Sequence, residues 1–497
     1  TRVVNFFSEE HIYRLRTKVG LEQEFFLIDK EVYEKRQDLR NTGRTLIGAK
    51  PPKTQEESQH DFGLIPERVS NFYSDVDEEL WKLGIFAKTE HNEVAPCQFE
   101  LAILYENTNV AIDDNQICME VLKKTALKHG LVCLLHEKPF KGMNGSGKHN
   151  NWSVTTNYGQ NLFDPGDNPE ENILFLLFVT AVMEAVDDYA GLLRFASASP
   201  RNDYRLGGDE APPSILSIFM GLDLERLLLS FVDENIDPAI ESNDFKIHNL
   251  KEVPHDLTDR NRTSPFAYTG NKFEFRMLGS SQSAADINIV LNTAVGSVLQ
   301  RYADTLEEEK EENRREKAFS LVRETIKKHQ RILYGGDNYS KEWEEEAERR
   351  GLPNYKTFLD SIIACMKDAK FEIFEENNVL KRREMEALFT IGIDNIIDTH
   401  LLELRTIEWL MNKDIIPAAR DELIDMAKVL DYVENPAIEN RIQHLHDLIK
   451  QLMDGTNSVN EYFEKQKEIE DKLERAVFIQ ENMLPFLDKI RKSADEI

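Results

Sequence analysis

The sequence predicts an α+β fold with a long helical extension, and two observations carry this. Up to about residue 300, strand-like stretches, helical patterns and loops rich in Gly, Pro, Asn and Asp are interleaved. After about Leu299 the character changes: Glu, Lys and Arg dominate, and Gly and Pro thin out. In chain order, Gly20 to Ile28 (GLEQEFFLI) predicts a strand. Loops are expected at 42–62, 157–171, 199–214 and 252–271. Helices with an apolar stripe are expected at 110–130 and 172–194, a strand from Lys148 onward, and another over Phe273 to Arg276. Amphipathic helices are expected at 283–333, 355–371, 373–412, 416–433, 436–454 and 458–493. In this last third Ile442, Leu445, Leu448, Ile449 and Leu452 repeat at helical spacing, as do Ile469, Leu473, Ala476 and Met483. Glu311 and Arg315 are placed for an i,i+4 pair. The helical third carries no chemical motif and predicts packing or assembly.

Composition narrows the function. A chain of 497 residues can bury a large core. A formal net charge of −29 argues against nucleic acid, which needs a basic face. The four cysteines, Cys97, Cys118, Cys133 and Cys365, form no CxxC pair, which predicts reduced thiols and a cytoplasmic setting. The longest apolar run, Ile173 to Val186, is too short to span a bilayer and predicts a buried helix. No secretory signal is visible. The chain opens on Thr1 rather than Met, so a fragment or a chain with segments missing is expected.

Four segments share one chemical theme. Alternation along Gly20–Ile28 puts Glu22 and Glu24 on one face, where two like charges repel unless a cation lies between them. Glu274 and Arg276 share a strand face with Lys272; by themselves they also fit an ordinary salt-bridged sheet. Glu93 and Glu100 bracket Pro96, expected to make a bulge from which both carboxylates converge. In Asn144 to Ser153 (NGSGKHNNWS), glycines allow close backbone approach, and His149, Asn151 and Ser153 fall on one strand face. Five carboxylates and one imidazole suffice for two hard divalent cations. Arginines complete the set: Arg205 with Glu210 in Asn202 to Pro213, and Arg260 with Arg262 in DRNRTSP. Arginine forks suit carboxylate or phosphate, and a glutamate on a Gly-Gly loop suits a movable lid.

These blocks resemble glutamine synthetase of the type III branch. NGSGKHNNWS is similar to that family's metal-histidine loop. HNEVAPCQFE, RLGGDEAPPSI and DRNRTSPFAYTGNKFEFR look like its other active-site blocks, in the same order from about Val19 to Leu299. The resemblance implies a curved antiparallel sheet lined by metal ligands and backed by helices. It divides the chain into an unmatched segment 1–18, a catalytic domain 19–300 and a helical extension 301–497. It implies a first metal at Glu24, Glu93 and Glu100, and a second at Glu22, His149 and Glu274, with Mg²⁺ or Mn²⁺ as the ions. Asn144, Gly145 and Arg205 would bind the amino-acid substrate, and Glu210 would be the flap glutamate. Arg262 and Arg276 would steady phosphate groups, with Asn151, Ser153 and Arg262 beside the nucleotide. The implied reaction joins ammonia to L-glutamate with ATP through γ-glutamyl phosphate, in a dodecamer of two stacked hexameric rings.

Some features depart from the family. The loop from Arg205 to Glu210 is one residue shorter than in the other branches, and Ala267 stands where they carry an arginine. Residues 1–18 do not match the family's amino-terminal β-grasp domain, whose ammonium-site aspartate is therefore not placed. The short carboxy-terminal segment of type III is also without a counterpart. Two other functions fit parts of the pattern: a γ-glutamyl ligase for another amine, and a non-catalytic assembly or regulatory relative.

Overall fold

A computed structural model describes residues 1–49, 51, 53–208, 210–237, 261–368 and 370–497. Among the described residues nine strands form one sheet: β1 (Leu15–Asp29), β2 (Ala87–Asn92), β3 (Gln98–Ile103), β4 (Glu106–Asn107), β5 (Leu131–Leu134), β6 (Lys148–Thr156), β7 (Ile218–Phe219), β8 (Phe266–Tyr268) and β9 (Phe273–Phe275). Their order is β2-β3-β1-β6-β9-β8-β7, with β4 and β5 also paired to β1. All pairings are antiparallel except β7 with β8, so the sheet is mixed rather than wholly antiparallel. β1 is the hub because its 15 residues are long enough to serve four partners.

The two faces of the sheet divide the chemistry. On β6 the burial pattern alternates without exception. Lys148, Asn150, Trp152 and Val154 turn to the packed side, and His149, Asn151 and Ser153 to the other. Phe273, Phe275 and Met277 enter the main core with the helix Ile173–Asp188, which is buried almost throughout. Among the described residues no helix is long and apolar enough to cross a membrane.

The boundaries expected at 18/19 and 300/301 are not breaks in the structure. β1 runs through the first, and the helix Ala285–Glu307 runs through the second. A single apolar cluster extends from Val3 and Val4 to Leu487 and Ile490. The helical third is part of that core, and a buried ion pair binds it to the sheet domain. Arg44 donates to both oxygens of Glu403 at 2.6 and 2.9 Å, Tyr204 donates to Glu403 at 2.8 Å, and the Arg44 guanidinium stacks 4.0 Å from the Tyr204 ring. Burial works against the charged form of Glu403, and Arg44 overrides it, holding the carboxyl well below its usual range.

Several helix limits differ from expectation, each for a local reason. The stretch 283–333 breaks at 308–313, so Glu311 lies in a separate short turn and Arg315 donates instead to the Glu171 carbonyl at 2.8 Å. Residues 454–458 do not end a helix, which runs Pro436–Lys467 through Gly455. Gly455 is there for close packing: a Cβ would sit 2.8 Å from Ile490 Cγ1. Residues 266–268, expected in a loop, form β8. Residues 252–260 of that loop, with Arg260, lie outside the described residues.

Replacing Arg44 by Met leaves Glu403 buried and uncompensated. It is expected to lower unfolding free energy by about 3–5 kcal/mol in chemical denaturation. Arg44→Met/Glu403→Leu should recover most of that loss; no recovery would show that the pair is not what joins the helical third to the sheet.

Candidate active site

The strand register builds the site. Across β1 and β3, Glu24 lies directly opposite Glu100, and across β2 and β3 His91 lies opposite Glu100. Across β1 and β6, Glu22 lies opposite His149, and across β6 and β9 Asn151 lies opposite Glu274. Directly opposed residues share a sheet face, so five strands aim these groups at one side.

Two clusters result. Glu22, His149 and Glu274 bring ligand atoms within 4.8 Å of one another, and so do His91, Glu93 and Glu100. In the first, His149 Nδ1 is 3.0 Å from Glu22 Oε2 and 3.1 Å from Glu274 Oε1, and Nε2 is 3.7 Å from Glu24 Oε1. Burial alone would lower the imidazole's pKa, but hydrogen bonds to Glu22 and Glu274 raise it well above its usual value. Glu274 responds in reverse. Burial opposes its charge, yet His149 and Arg276 hold its carboxyl far below the usual range. Arg276 is itself buried, with Nε 3.0 Å from Glu274 Oε1 and Nη2 3.2 Å from Oε2; its Nη1 donates to the Asn261 carbonyl. The salt-bridged sheet face and the cation cluster are thus the same residues.

In the second cluster His91 Nε2 is 2.8 Å from Glu100 Oε1, and Nδ1 is 3.5 Å from Glu93 Oε1. The hydrogen bond to Glu100 pushes His91 up to about 10. Burial, then the charges of Glu24 and Glu100, push Glu93 up to about 9. Pro96 does not sit in a bulge. It lies in the tight turn that joins β2 to β3, where Cys97 adopts a left-handed φ of 64°. His91 was not singled out from the sequence, although it stands two residues before Glu93; it is the penultimate residue of β2, and Glu93 opens the turn that follows. Gln98 was also missed: its Nε2 donates to the Gly145 carbonyl at 3.0 Å and to Glu24 Oε2 at 3.3 Å, tying the glycine loop to the ligand row.

The glycines of that loop make room for a protein side chain. A Cβ on Gly147 would lie 2.1 Å from Arg205 Nη2, and one on Gly145 would lie 2.8 Å from Arg205 Cγ. Gly147 N also donates to Glu24 Oε2 at 2.8 Å. Arg205 is 3% exposed and donates weakly to the carbonyls of Arg276 and Leu278, while its Nε is buried with no partner. A buried guanidinium with a donor to spare suits an anion.

Over this floor lies Glu210, at a left-handed φ of 65°. Such a conformation is costly for a residue with a side chain and is concentrated at working sites. Its carboxylate accepts from Asn144 Nδ2 at 3.3 Å and pairs with Arg262 at 3.3 Å. Burial, partly offset by Arg262, raises the Glu210 carboxyl above its usual range. Asn151 donates to Glu22 at 2.8 Å, and Ser153 is half-buried two residues further along the same face. The structure therefore gathers Glu22, Glu24, Glu93, Glu100, His149 and Glu274 with Asn144, Arg205, Glu210, Arg262 and Arg276. The donor set fits divalent cations: carboxylate oxygens with one imidazole at each cluster, converging and otherwise mutually repulsive.

The pH dependence of the metal-free chain follows from Glu93 and His91. Both bind protons more tightly folded than unfolded, so the stability they contribute is present at low pH and is lost as pH rises. For Glu93 the window runs from 4.5 to about 9, and for His91 from 6.5 to about 10. The thermal midpoint of metal-free protein should therefore fall between about pH 5 and 9, and Mg²⁺ should remove most of the slope. A midpoint that does not depend on pH would overturn the crowded-carboxylate account.

Sequence comparisons identify the fold that carries this geometry. Residues 2–199 match the family model described as the glutamine synthetase catalytic domain, and residues 317–434 match the glutamine synthetase C-terminal domain. The chain is 38% identical to the type-3 glutamine synthetase of Dictyostelium discoideum over 99% of its own length and 69% of that protein's. It is 41% identical to the glutamine synthetase of Butyrivibrio fibrisolvens, covering 100% and 72% of the two chains. With the Bacteroides fragilis glutamine synthetase the identity is 37%, over 98% and 70%. The carboxylate–imidazole clusters built on this sheet thus sit in sequence shared along almost the whole chain with these proteins, and the chain belongs to the glutamine synthetase family, in its type III branch.

Proposed function

We propose that this chain joins ammonia to the side-chain carboxyl of L-glutamate, using ATP and giving L-glutamine, ADP and phosphate through γ-glutamyl phosphate. The single observation that carries this reading is the pair of carboxylate–imidazole clusters side by side on one sheet face, next to a glycine loop and buried arginines. Glu24, Glu93 and Glu100 would hold one divalent cation, with His91 at its edge. Glu22, His149 and Glu274 would hold the other. Mg²⁺ or Mn²⁺ suits so oxygen-rich a donor set. Bound there, the cations supply charge neutralisation for the phosphoryl oxygens during transfer.

The chain's own residues do the rest. Asn144 and the Gly145 backbone are placed for the substrate's amino-acid end. Arg205, with its unpaired Nε, is placed for the carboxylate. Arg276 grips Glu274 from within the protein and so sets the angle of a ligand, and Arg262, largely exposed at the mouth, is the arginine free to turn toward phosphate. Asn151 and Ser153 lie along the strand face on which the nucleotide would rest. Glu210 bridges Asn144 and Arg262 across the opening. There it excludes water from the acyl phosphate, and its raised pKa equips it to take a proton from ammonium. Assembly as a dodecamer of two hexameric rings, in the cytoplasm, completes the proposal; the four free thiols are compatible with a reducing compartment.

Phosphate release from ATP with Mg²⁺ tests the reading, with glutamate and ammonium each present or omitted. Release only with both is expected. Release with an alkylamine but not ammonium would replace ammonia by another amine. Glu274→Ala, which removes a cation ligand and a partner of His149, should lower turnover by at least about 10²-fold while circular dichroism stays unchanged. Unaltered turnover would remove Glu274 from the cation site.

A further inference from the structure

A third cluster lies away from the catalytic face. Apart from Thr180, the helix Ile173–Asp188 is apolar until its last turns, where it carries Glu184, Asp187 and Asp188. Glu184 and Asp188 are four residues apart and so project from one face. Against them packs His329, the last residue of the helix Arg314–His329 and only 1% exposed. A ring nitrogen of His329 and one carboxylate oxygen each of Glu184 and Asp188 lie within 4.8 Å of one another.

The surroundings of His329 are those of a ligand more than of a core residue. Asp187 Oδ2 lies 2.8 Å from His329 Nδ1, and Arg331 Nε lies 3.0 Å from both Asp187 oxygens, so the imidazole is held at a set angle and tautomer. Its other nitrogen, Nε2, is buried with no hydrogen-bond partner. An imidazole oriented by a carboxylate through one nitrogen and open at the other is the usual arrangement of a metal-bound histidine. Glu184 has present partners, Arg301 Nη2 at 2.7 Å from Oε1 and Tyr302 Oη at 3.2 Å from Oε2. Arg301 is 47% exposed and can turn outward. Lys370 binds the Asp188 carbonyl oxygen at 2.6 Å rather than its carboxylate.

We propose that Glu184, Asp188 and His329 bind a divalent transition-metal cation, with Asp187 as the residue that positions His329. One nitrogen and two oxygens favour an ion of the zinc type over Ca²⁺, which prefers oxygen alone. None of the four residues is among those assigned to catalysis, so the site is independent of the proposed reaction. It pins the end of the buried helix Ile173–Asp188 to the end of Arg314–His329.

The test is zinc content per chain after dialysis of the full chain against buffered Zn²⁺, measured by mass spectrometry. It compares the unaltered chain, Asp188→Asn, His329→Gln and, as a control for the catalytic clusters, Glu22→Gln/Glu274→Gln. Asp188→Asn and His329→Gln should each hold one zinc ion fewer than the unaltered chain, and adding Asp188→Asn to the control should remove one more. Equal zinc content with and without Asp188 and His329 would overturn the site. Asp188→Asn keeps the His329–Asp187 contact and so tests the ligand without loosening the core. Arg301→Ala decides independently of either variant: removing the competing cation should tighten zinc binding several-fold, whereas a purely structural ion pair predicts unchanged or weaker binding.

Discussion

Glu24 and Glu100 face each other directly across β1 and β3, and the rest of the site answers that conflict. Like charges in opposed positions weaken a sheet, and burial makes the repulsion stronger. Protons and hydrogen-bond donors meet that repulsion. His91 bonds Glu100, Glu93 is held neutral up to about 9, and the Gly147 amide and Gln98 amide bond Glu24. The site is therefore built at a cost in stability that ligand binding can repay.

The second constraint is positional. Arg205 can reach the centre only because Gly145 and Gly147 lack side chains, and Arg205 follows directly on Tyr204. Tyr204 in turn donates to Glu403 on the helix Arg382–Leu410. The helical third, which carries no motif of its own, thus braces the segment that ends in the buried Arg205. Arg491 adds a further tie at 2.6 Å to the Thr45 carbonyl, one residue from Arg44.

Legibility varied with the range of the forces involved. Alternation on β1 and β6 was readable because side-chain direction in a strand is a local property, so Glu22 with Glu24 and His149 with Asn151 were correctly placed on shared faces. His91 was missed because β2 has no apolar alternation to announce it; its role comes only from lying opposite Glu100. Pro96 was read as a bulge because a proline interrupts pairing in either setting, and only the antiparallel return of β3 makes it a turn. The helix expected to stop at 454 runs on through Gly455. Glycine lowers helix propensity, but here the contact with Ile490 outweighs it.

By itself the sequence determined which residue types were available, which of them shared a strand face, and in what order the family's blocks run. Those follow from covalent spacing and from the short-range periods of strand and helix. Only the tertiary structure decided which carboxylates became neighbours, since register between β1, β3, β6 and β9 is set by pairings up to more than a hundred residues apart. It also decided that Arg276 faces inward to Glu274 while Arg262 stays at the mouth, and that Glu403 meets Arg44. These outcomes depend on burial, which changes the strength of every charge interaction and is a property of the packed chain rather than of any segment.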